Sequence, residues 1–428
     1  FSQNGDPRER HPYQITKDRQ KKIAKSINMN SSACMLLEFT PAWPASLCTI
    51  AIAGASCLSA PIGFAAGAPV KIKVEDTQVI TPKTPYYCGW PTIGAKKNGD
   101  LIVVYSGGRD YHICPFGRVE EITSRDEGKT WSWPRTLLDS VTDDRDAGIL
   151  ETAQGTLIVT TFTSDLYQLH LNNPERALVK AFGDSLPAHL ERWKLAEART
   201  SPEEKKADVG MWFLRSTDGG KTWSERLPAP CNSPHGPAQL ADGRLLYVGK
   251  ELWTENKRVG AWESKDDGLT WQHLSDLPVR PGESLTEYHE VHAVEAADGT
   301  IIVQIRNHNK KPKDTLQTES KDGGKTWTEP REIGVTGYPT HLLRLKDGTL
   351  LMTYSFRQEP YGIRGKTSKD NGKTWSEEFR ITEDGASWDL GYPSTVQLPD
   401  GSLITVWYEV LQDAPQAVIR QAKWKIEP

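Results

Sequence analysis

Residues that could do chemistry recur at matching places along this 428-residue chain. At the starts of strand-like apolar runs stand Trp90, Arg145, His235, Glu290, Tyr338 and Tyr392. Where the second run of each unit ends stand Arg109, Lys250, Arg306, Arg357 and Glu409, with Arg364 in the run that follows Arg357. A guanidinium grips a carboxylate through two parallel hydrogen bonds. A mouth that gathered these arginines beside tyrosines and carboxylates would suit an anionic, oxygen-rich ligand such as an acidic sugar. His235, His289, His292 and His341 fall among them. A lone histidine is usually a satisfied structural residue, whereas several at one mouth could hold a metal or serve acid–base chemistry. The expectation is no metal and no cofactor.

The elements that must position these groups are repeats. SKDGGKTW, Ser320–Trp327, returns as SRDEGKTW at Ser124–Trp131, STDGGKTW at Ser216–Trp223, SKDDGLTW at Ser264–Trp271 and SKDNGKTW at Ser368–Trp375. The shared pattern, S-x-D-x-G-x-T-W, predicts a tight turn. Its Asp accepts backbone N–H groups, its Gly supplies a positive φ, and its Trp packs between neighbouring sheets. A second repeat is a turn dipeptide followed by an apolar run, at Asn98-Gly99, Gln154-Gly155, Asp242-Gly243, Asp298-Gly299, Asp347-Gly348 and Asp400-Gly401. These read as hairpins, one per unit. Each unit is strand, turn, strand, loop, strand, box, strand, which is one propeller blade. The sixth unit lacks a box and ends in AVIRQAKWKI, so the segment around Val70–Ile80 should complete the ring beside it. The expected fold is all-β: a six-bladed propeller of four-stranded antiparallel blades over residues 69–428. An insertion at about Ser164–Asp208, of helical composition, falls between the second and third strands of blade two. It is expected either as a rim over the mouth or as a decoration on the outer edge.

With five boxes on six blades, the chain resembles the sialidase (neuraminidase) superfamily of Asp-box (BNR) proteins over about residues 80–428. GYPSTVQLPDGSLITVWYE, Gly391–Glu409, resembles the segment where the family's nucleophilic Tyr opens the last inner strand, which is Tyr392 here. Glu290, in EYHEVHAVEAADGTIIVQIR, matches the family's Glu, and Arg306 one Arg of its carboxylate-binding triad. The resemblance makes Arg364 another triad member and places Arg109, in YSGGRD, at the end of the first blade's second strand. It implies a Tyr hydroxyl as nucleophile, deprotonated by Glu, because an anionic nucleophile would be repelled by a carboxylate on the anomeric carbon. Asp110, in the loop after Arg109, is the nearest candidate for the general acid. One departure stands out: the family's Arg-Ile-Pro segment aligns with Gly89-Trp90-Pro91, so its first triad Arg is absent, and Arg145 is the residue that could reach the same space.

A formal charge of −4 and the absence of a basic run inside the repeats argue against a nucleic-acid partner. At the start of the chain a basic stretch, Asp18–Lys25, precedes an apolar small-residue run, Leu47–Ala68. Residues 1–68 are therefore read as an extension carrying a secretory signal, cut near Ala66–Ala68, with Met29 a candidate initiator. Pro61 and several glycines interrupt the run and count against a stable membrane span. The expected location is secreted or periplasmic. Cys88 and Cys114 should share one mouth of blade one, either as a disulfide or as two buried thiols. Three functions fit: an exo-acting, retaining sialidase-like glycosidase, a propeller lyase or hydrolase of another anionic polysaccharide, or a carbohydrate-binding propeller without catalysis. In each the partner is a glycan with an acidic sugar, and the oligomeric state stays open.

Overall fold

Each box turn holds itself together with the same bonds. In the first, Ser124 Oγ donates to Asp126 Oδ1 at 2.8 Å, and Asp126 accepts the Thr130 N–H at 2.9 Å and its hydroxyl at 2.6 Å. Gly128 N–H closes on Ser124 Oγ at 2.9 Å. The other four boxes repeat this network around Asp218, Asp266, Asp322 and Asp370. Three of the tryptophans then reach the adjoining blade: Trp131 Nε1 donates to Gln421, Trp327 Nε1 to Ser275 and Trp375 Nε1 to Gln317. The boxes are joints between blades.

The computed structural model describes residues 69–427 apart from 175 and 415. It is a six-bladed β-propeller of four-stranded antiparallel blades. Blade one comprises Tyr87–Ala95, Leu101–Arg109, Arg118–Ser124 and Arg135–Leu138, and blade two Asp143–Glu151, Leu157–Ser164, Gly210–Ser216 and Leu227–Pro228. Blade three runs from Ala238–Gln239 through Leu245–Lys250 and Val259–Ser264 to Gln272–Asp276. Blade four comprises Tyr288–Glu295, Ile301–Asn307, Asp314–Ser320 and Arg331–Val335, and blade five Thr340–Arg344, Leu350–Phe356, Gly362–Ser368 and Phe379–Arg380. Blade six takes Leu390–Gln397, Leu403–Val410 and Ala417–Ile426, and borrows its outer strand, Ile72–Val79, from the other end of the propeller segment. Second strands such as Leu101–Tyr105 and Ile301–Ile305 are buried on both faces, because each sheet is packed between two others. The expected leader lies outside the described residues. No helix among the described residues is long and apolar enough to cross a membrane.

Inner strands are bulged at one end of the ring. Pairing slips between Gly89 and Thr92 in blade one, Arg145 and Gly148 in blade two, His289 and Val291 in blade four, and Gly391 and Ser394 in blade six. A bulge re-aims the extra side chain. Here the extra residues include Trp90, Asp146, Glu290 and Tyr392.

The insertion forms four helices, α1 (Tyr167–Asn172), α2 (Arg176–Phe182), α3 (Leu186–Ala198) and α4 (Pro202–Asp208). Ser201 and Glu204 form a capping box that starts α4. On α3, Trp193 is fully buried against Tyr167, Leu178 and Cys114. The insertion packs as a rim on the loop that follows Arg109, and none of its described residues lines the central cavity, so its packing does not decide between a cover for the mouth and an outer decoration. Cys88 and Cys114 are buried free thiols in separate apolar clusters, one between blades one and six and the other under the insertion.

Candidate active site

The bulged ends of the inner strands surround a cavity of about 570 Å3. Tyr392 from blade six donates its hydroxyl to Glu290 Oε1 of blade four at 2.5 Å. Arg306 Nη1 holds the other Glu290 oxygen, also at 2.5 Å, and Arg306 Nε donates to His308 Nε2 at 2.7 Å. The Arg306 guanidinium lies 4.4 Å from the Tyr338 ring centre, a cation–π contact. Arg357, at the end of blade five's second strand, lies 6.0 Å from the Tyr392 ring centre and 5.6 Å from that of Tyr338. Arg145 stacks on Trp90 at 4.6 Å.

Charge in this cavity is lopsided. Arg145, Arg306, Lys313 and Arg357 line it, against the single lining carboxylate of Glu290. Two buried donors, Nη1 of Arg145 and Nε of Arg357, have no hydrogen-bond partner. A buried donor left unsatisfied costs about 1–3 kcal/mol, which an oxyanion placed there would relieve. Burial works to raise the Glu290 pKa, but the Arg306 charge and the Tyr392 and Arg306 hydrogen bonds outweigh it and hold the carboxyl at about 2. Burial, with the Glu290 and Asp146 charges, pushes the Tyr392 hydroxyl well up against the opposing Arg306 and Arg357. At neutral pH the pair is a phenol donating to a carboxylate. Such a pair can deliver a nucleophilic oxygen while passing its proton on.

Tyr392, Glu290, Arg306 and Arg145 therefore meet in one cavity. The other three residues singled out from the sequence do not line it. Arg109 is wholly buried beneath Trp90 and paired with Asp143 at 2.6 Å. Asp110 is buried under the insertion, where it accepts Arg192 Nη1 at 2.7 Å and Trp193 Nε1 at 2.9 Å, with His189 Nδ1 at 3.4 Å. It anchors the rim, its carboxylate taken up by these donors. Arg364 sits in blade five's third strand and donates to the carbonyls of Thr382 at 2.6 Å and Pro360 at 2.8 Å. Arg357 occupies the place expected of it, since it ends a second strand as Arg306 does. That equivalence between blades was the available signal.

Sequence reasoning missed the loop residues His112, Lys313 and Trp388, and Tyr408 from blade six, all of which line the cavity. Loops carry no periodicity, and only proximity in space reveals them. His112 Nδ1 lies 3.1 Å from Tyr87 Oη, and Asp389 accepts the hydroxyls of Tyr87 and Tyr408, each at 3.1 Å. Lys250 is spent on the carbonyls of Thr286 at 2.6 Å and Tyr288 at 2.9 Å, steadying the approach to Glu290. Glu409 is buried against Arg420 and Trp407.

The histidines divide into two groups. His235, His292 and His341 are buried with ring centres 4.7–5.1 Å apart, and burial drives each toward the neutral form. His292 Nδ1 accepts the Leu342 N–H at 2.9 Å. His289 and His308 approach Glu287 closely enough for the three to hold a metal ion. Arg306 already occupies His308 Nε2, and Lys250, Arg306 and Lys313 all act on His289. A dication would be repelled there, and His308 instead holds the Arg306 guanidinium.

The model of the BNR repeat-like domain matches residues 71–280 and 196–405. A sialidase of Clostridium perfringens is 26% identical over 199 residues, 39% of this chain and 52% of that protein. A xyloglucanase of a Paenibacillus species is 32% identical over 142 residues, 32% of this chain and 13% of that protein. The chain thus spans about half of one curated relative and a small part of the other. Among solved structures, a protein of unknown function from Dyadobacter fermentans shares the fold with a TM-score of 0.66 at 22% identity, covering 83% of this chain and 99% of that one. The Hadza microbial sialidase Hz136 shares it with a TM-score of 0.56 at 19% identity, covering 78% of this chain and 65% of that one. With repeats, blades and matched model in agreement, the chain belongs to the BNR repeat-like family.

Proposed function

We propose that this propeller is a retaining, exo-acting glycosidase that removes a terminal acidic sugar, sialic acid or a relative of it, from a glycan. The observation that carries the reading is the 2.5 Å bond from Tyr392 to Glu290, flanked by Arg306 and Arg357. In the first step Tyr392 Oη bonds to the anomeric carbon as its proton passes to Glu290, and the glycosidic C–O bond breaks with a proton delivered to the leaving oxygen. In the second, water attacks the anomeric carbon, its proton going to the group that protonated the leaving oxygen, and Tyr392 recovers its proton from Glu290. Arg306 and Arg357 hold the sugar carboxylate and offset charge in the transition state. Release of a fluorogenic sialoside reporter, lost in Tyr392→Phe, tests this. Wild-type protein that binds sialosides but never releases the reporter would overturn it.

One observation favours a second reading. His112 stands in the cavity with Tyr338 and Tyr408, a His and Tyr set able to abstract and return protons on an anionic polysaccharide. Under that reading a uronic-acid polymer would be cut with an unsaturated, ultraviolet-absorbing product, and sialosides would be untouched.

A further inference from the structure

With Asp110 committed to the rim, the proposed reaction still needs a donor for the leaving oxygen. Among the described residues, seven other than glycine adopt a positive φ. Glu127, Asp267 and Asn371 belong to box turns and Lys257 to a surface loop. The remaining three are Trp90 at 55°, Asp146 at 42° and Tyr392 at 54°. All three lie in inner-strand bulges at the mouth of the ring. Strained backbone of this kind is held where a side chain must be aimed. Trp90 and Tyr392 are aimed into the cavity. Asp146 is the same device built into blade two, next to the cavity-lining Arg145.

We infer that Asp146 is the acid of this site, giving its proton to the oxygen that leaves the anomeric carbon and taking one from the water that releases the sugar. The inference rests on the glycosidase reading above. The other buried carboxylates around this mouth are occupied. Asp143 pairs with Arg109, Asp144 accepts from Ser140 and Thr163, Asp208 accepts from Thr142, and Asp389 takes two tyrosine hydroxyls. Asp146, 6% exposed, makes no hydrogen bond and no direct ion pair among the described residues. A buried carboxyl without donors favours its protonated form. The charged and titratable groups around it are Arg145 on its own strand, Arg109 of blade one, Tyr247 of blade three, Glu290 and Arg306 of blade four, and Tyr392 of blade six. Burial raises its pKa, Arg145, Arg109 and Arg306 oppose, Glu290 adds, and the carboxyl is pushed up to about 7.

The steps balance. As the Tyr392 oxygen bonds to carbon and its proton moves to Glu290, the Asp146 proton goes to the departing glycosidic oxygen, leaving an alcohol and an ionised Asp146. Water then gives its proton to Asp146 and its oxygen to the sugar, and Tyr392 leaves with the proton held by Glu290.

The test compares wild type and Asp146→Asn on two sialosides, one with an acidic phenol as leaving group and one with a simple alkyl alcohol. General acid catalysis contributes roughly 10²–10⁴-fold. Asp146→Asn should lose about that much kcat/KM on the alkyl sialoside and far less on the aryl one, and the fall in wild-type kcat/KM above about pH 7 should disappear. Infrared difference spectra of substrate-free protein supply a readout independent of turnover: a protonated carboxyl band should fade as pH rises through about 7 and be missing from Asp146→Asn. Equal losses on both substrates, with wild type active, would overturn the role of Asp146 alone. A wild type that releases neither alcohol would overturn the glycosidase reading and, with it, this one. Absence of the band would sink the assignment whatever the kinetics.

Discussion

Tyr392 and Glu290 are 102 positions apart in the sequence and belong to different blades, yet their oxygens lie 2.5 Å apart. Nothing local brings them together. Each is the extra residue of a bulge, and the closed ring fixes the distance between the two bulges. Tyr392→Phe keeps the ring and deletes the oxygen, so turnover should fall by about 10⁴-fold or more with little change in melting temperature. Glu290→Gln should be similarly inactive. Retained turnover in Tyr392→Phe would remove the nucleophile from the mechanism.

Glu290 also sets the acid limit. Because its folded pKa, about 2, lies below the ordinary glutamate value near 4.3, its contribution to stability is present above about 4.3 and disappears as pH falls through about 2. Acid unfolding monitored by circular dichroism should therefore begin at lower pH in wild type than in Arg306→Met, which lacks the charge that holds Glu290 down.

Arg357 and Arg364 should separate cleanly. Arg357→Ala removes a lining cation and should lower kcat/KM on an acidic sugar by roughly 10–100-fold, the strength of a hydrogen bond to a charged group. Arg364→Ala strips the donor from the buried Thr382 carbonyl and should cost about 1–3 kcal/mol in stability. Denaturant melts and initial rates on both variants decide it. The reverse outcome would restore Arg364 to the ligand.

Asp146 predicts a pH-dependent stability of the opposite sign. Its folded pKa, about 7, lies above the ordinary aspartate value near 3.9, so the stability it contributes is full below about 3.9 and lost as pH rises through about 7. Asp146→Asn should gain on wild type, by on the order of a few kcal/mol, between about pH 5 and pH 8. Melting curves at both values give the difference directly.

Asp110→Ala should loosen the rim, since it strands the Arg192 and Trp193 donors. Limited proteolysis in Arg199–Ser201, between α3 and α4, should accelerate while the blades stay protected. Because the Asp110 carboxylate is taken up by Arg192, Trp193 and His189 under the insertion, Asp110→Asn should keep the wild-type ratio of aryl to alkyl sialoside turnover. A selective loss on the alkyl sialoside would return the acid to Asp110.

Much of this was legible in the residues. Five S-x-D-x-G-x-T-W turns and six glycine hairpins dictate blade number, and an unpaired final unit demands Ile72–Val79 as its closing strand. Positions at strand starts and ends brought Tyr392, Glu290, Arg306 and Arg145 to one mouth. Sequence pattern erred where side-chain direction decides. Arg364 lies close in sequence to Arg357, but Cα pairing sets it opposite Tyr354, and its guanidinium turns to the Thr382 and Pro360 carbonyls. Asp146 was hidden by its neighbour Arg145, because no residue pattern marks the bulge between Arg145 and Gly148 that gives Asp146 its positive φ. His112, Lys313 and Trp388 sit on loops whose course depends on blades far away in the chain.

The strand Ile72–Val79 leaves the ribosome long before its partner, Ala417–Ile426, exists. Until then the nascent chain carries an unlatched set of sheets with bare strand edges, which are templates for wrong pairing. Blade six cannot form from either end of the propeller segment alone, so the cavity that holds Tyr392 is completed last, after synthesis of the whole ring. Removing Ile72–Val79 should leave a chain that depends on chaperones and never acquires its site, however intact the other five blades become.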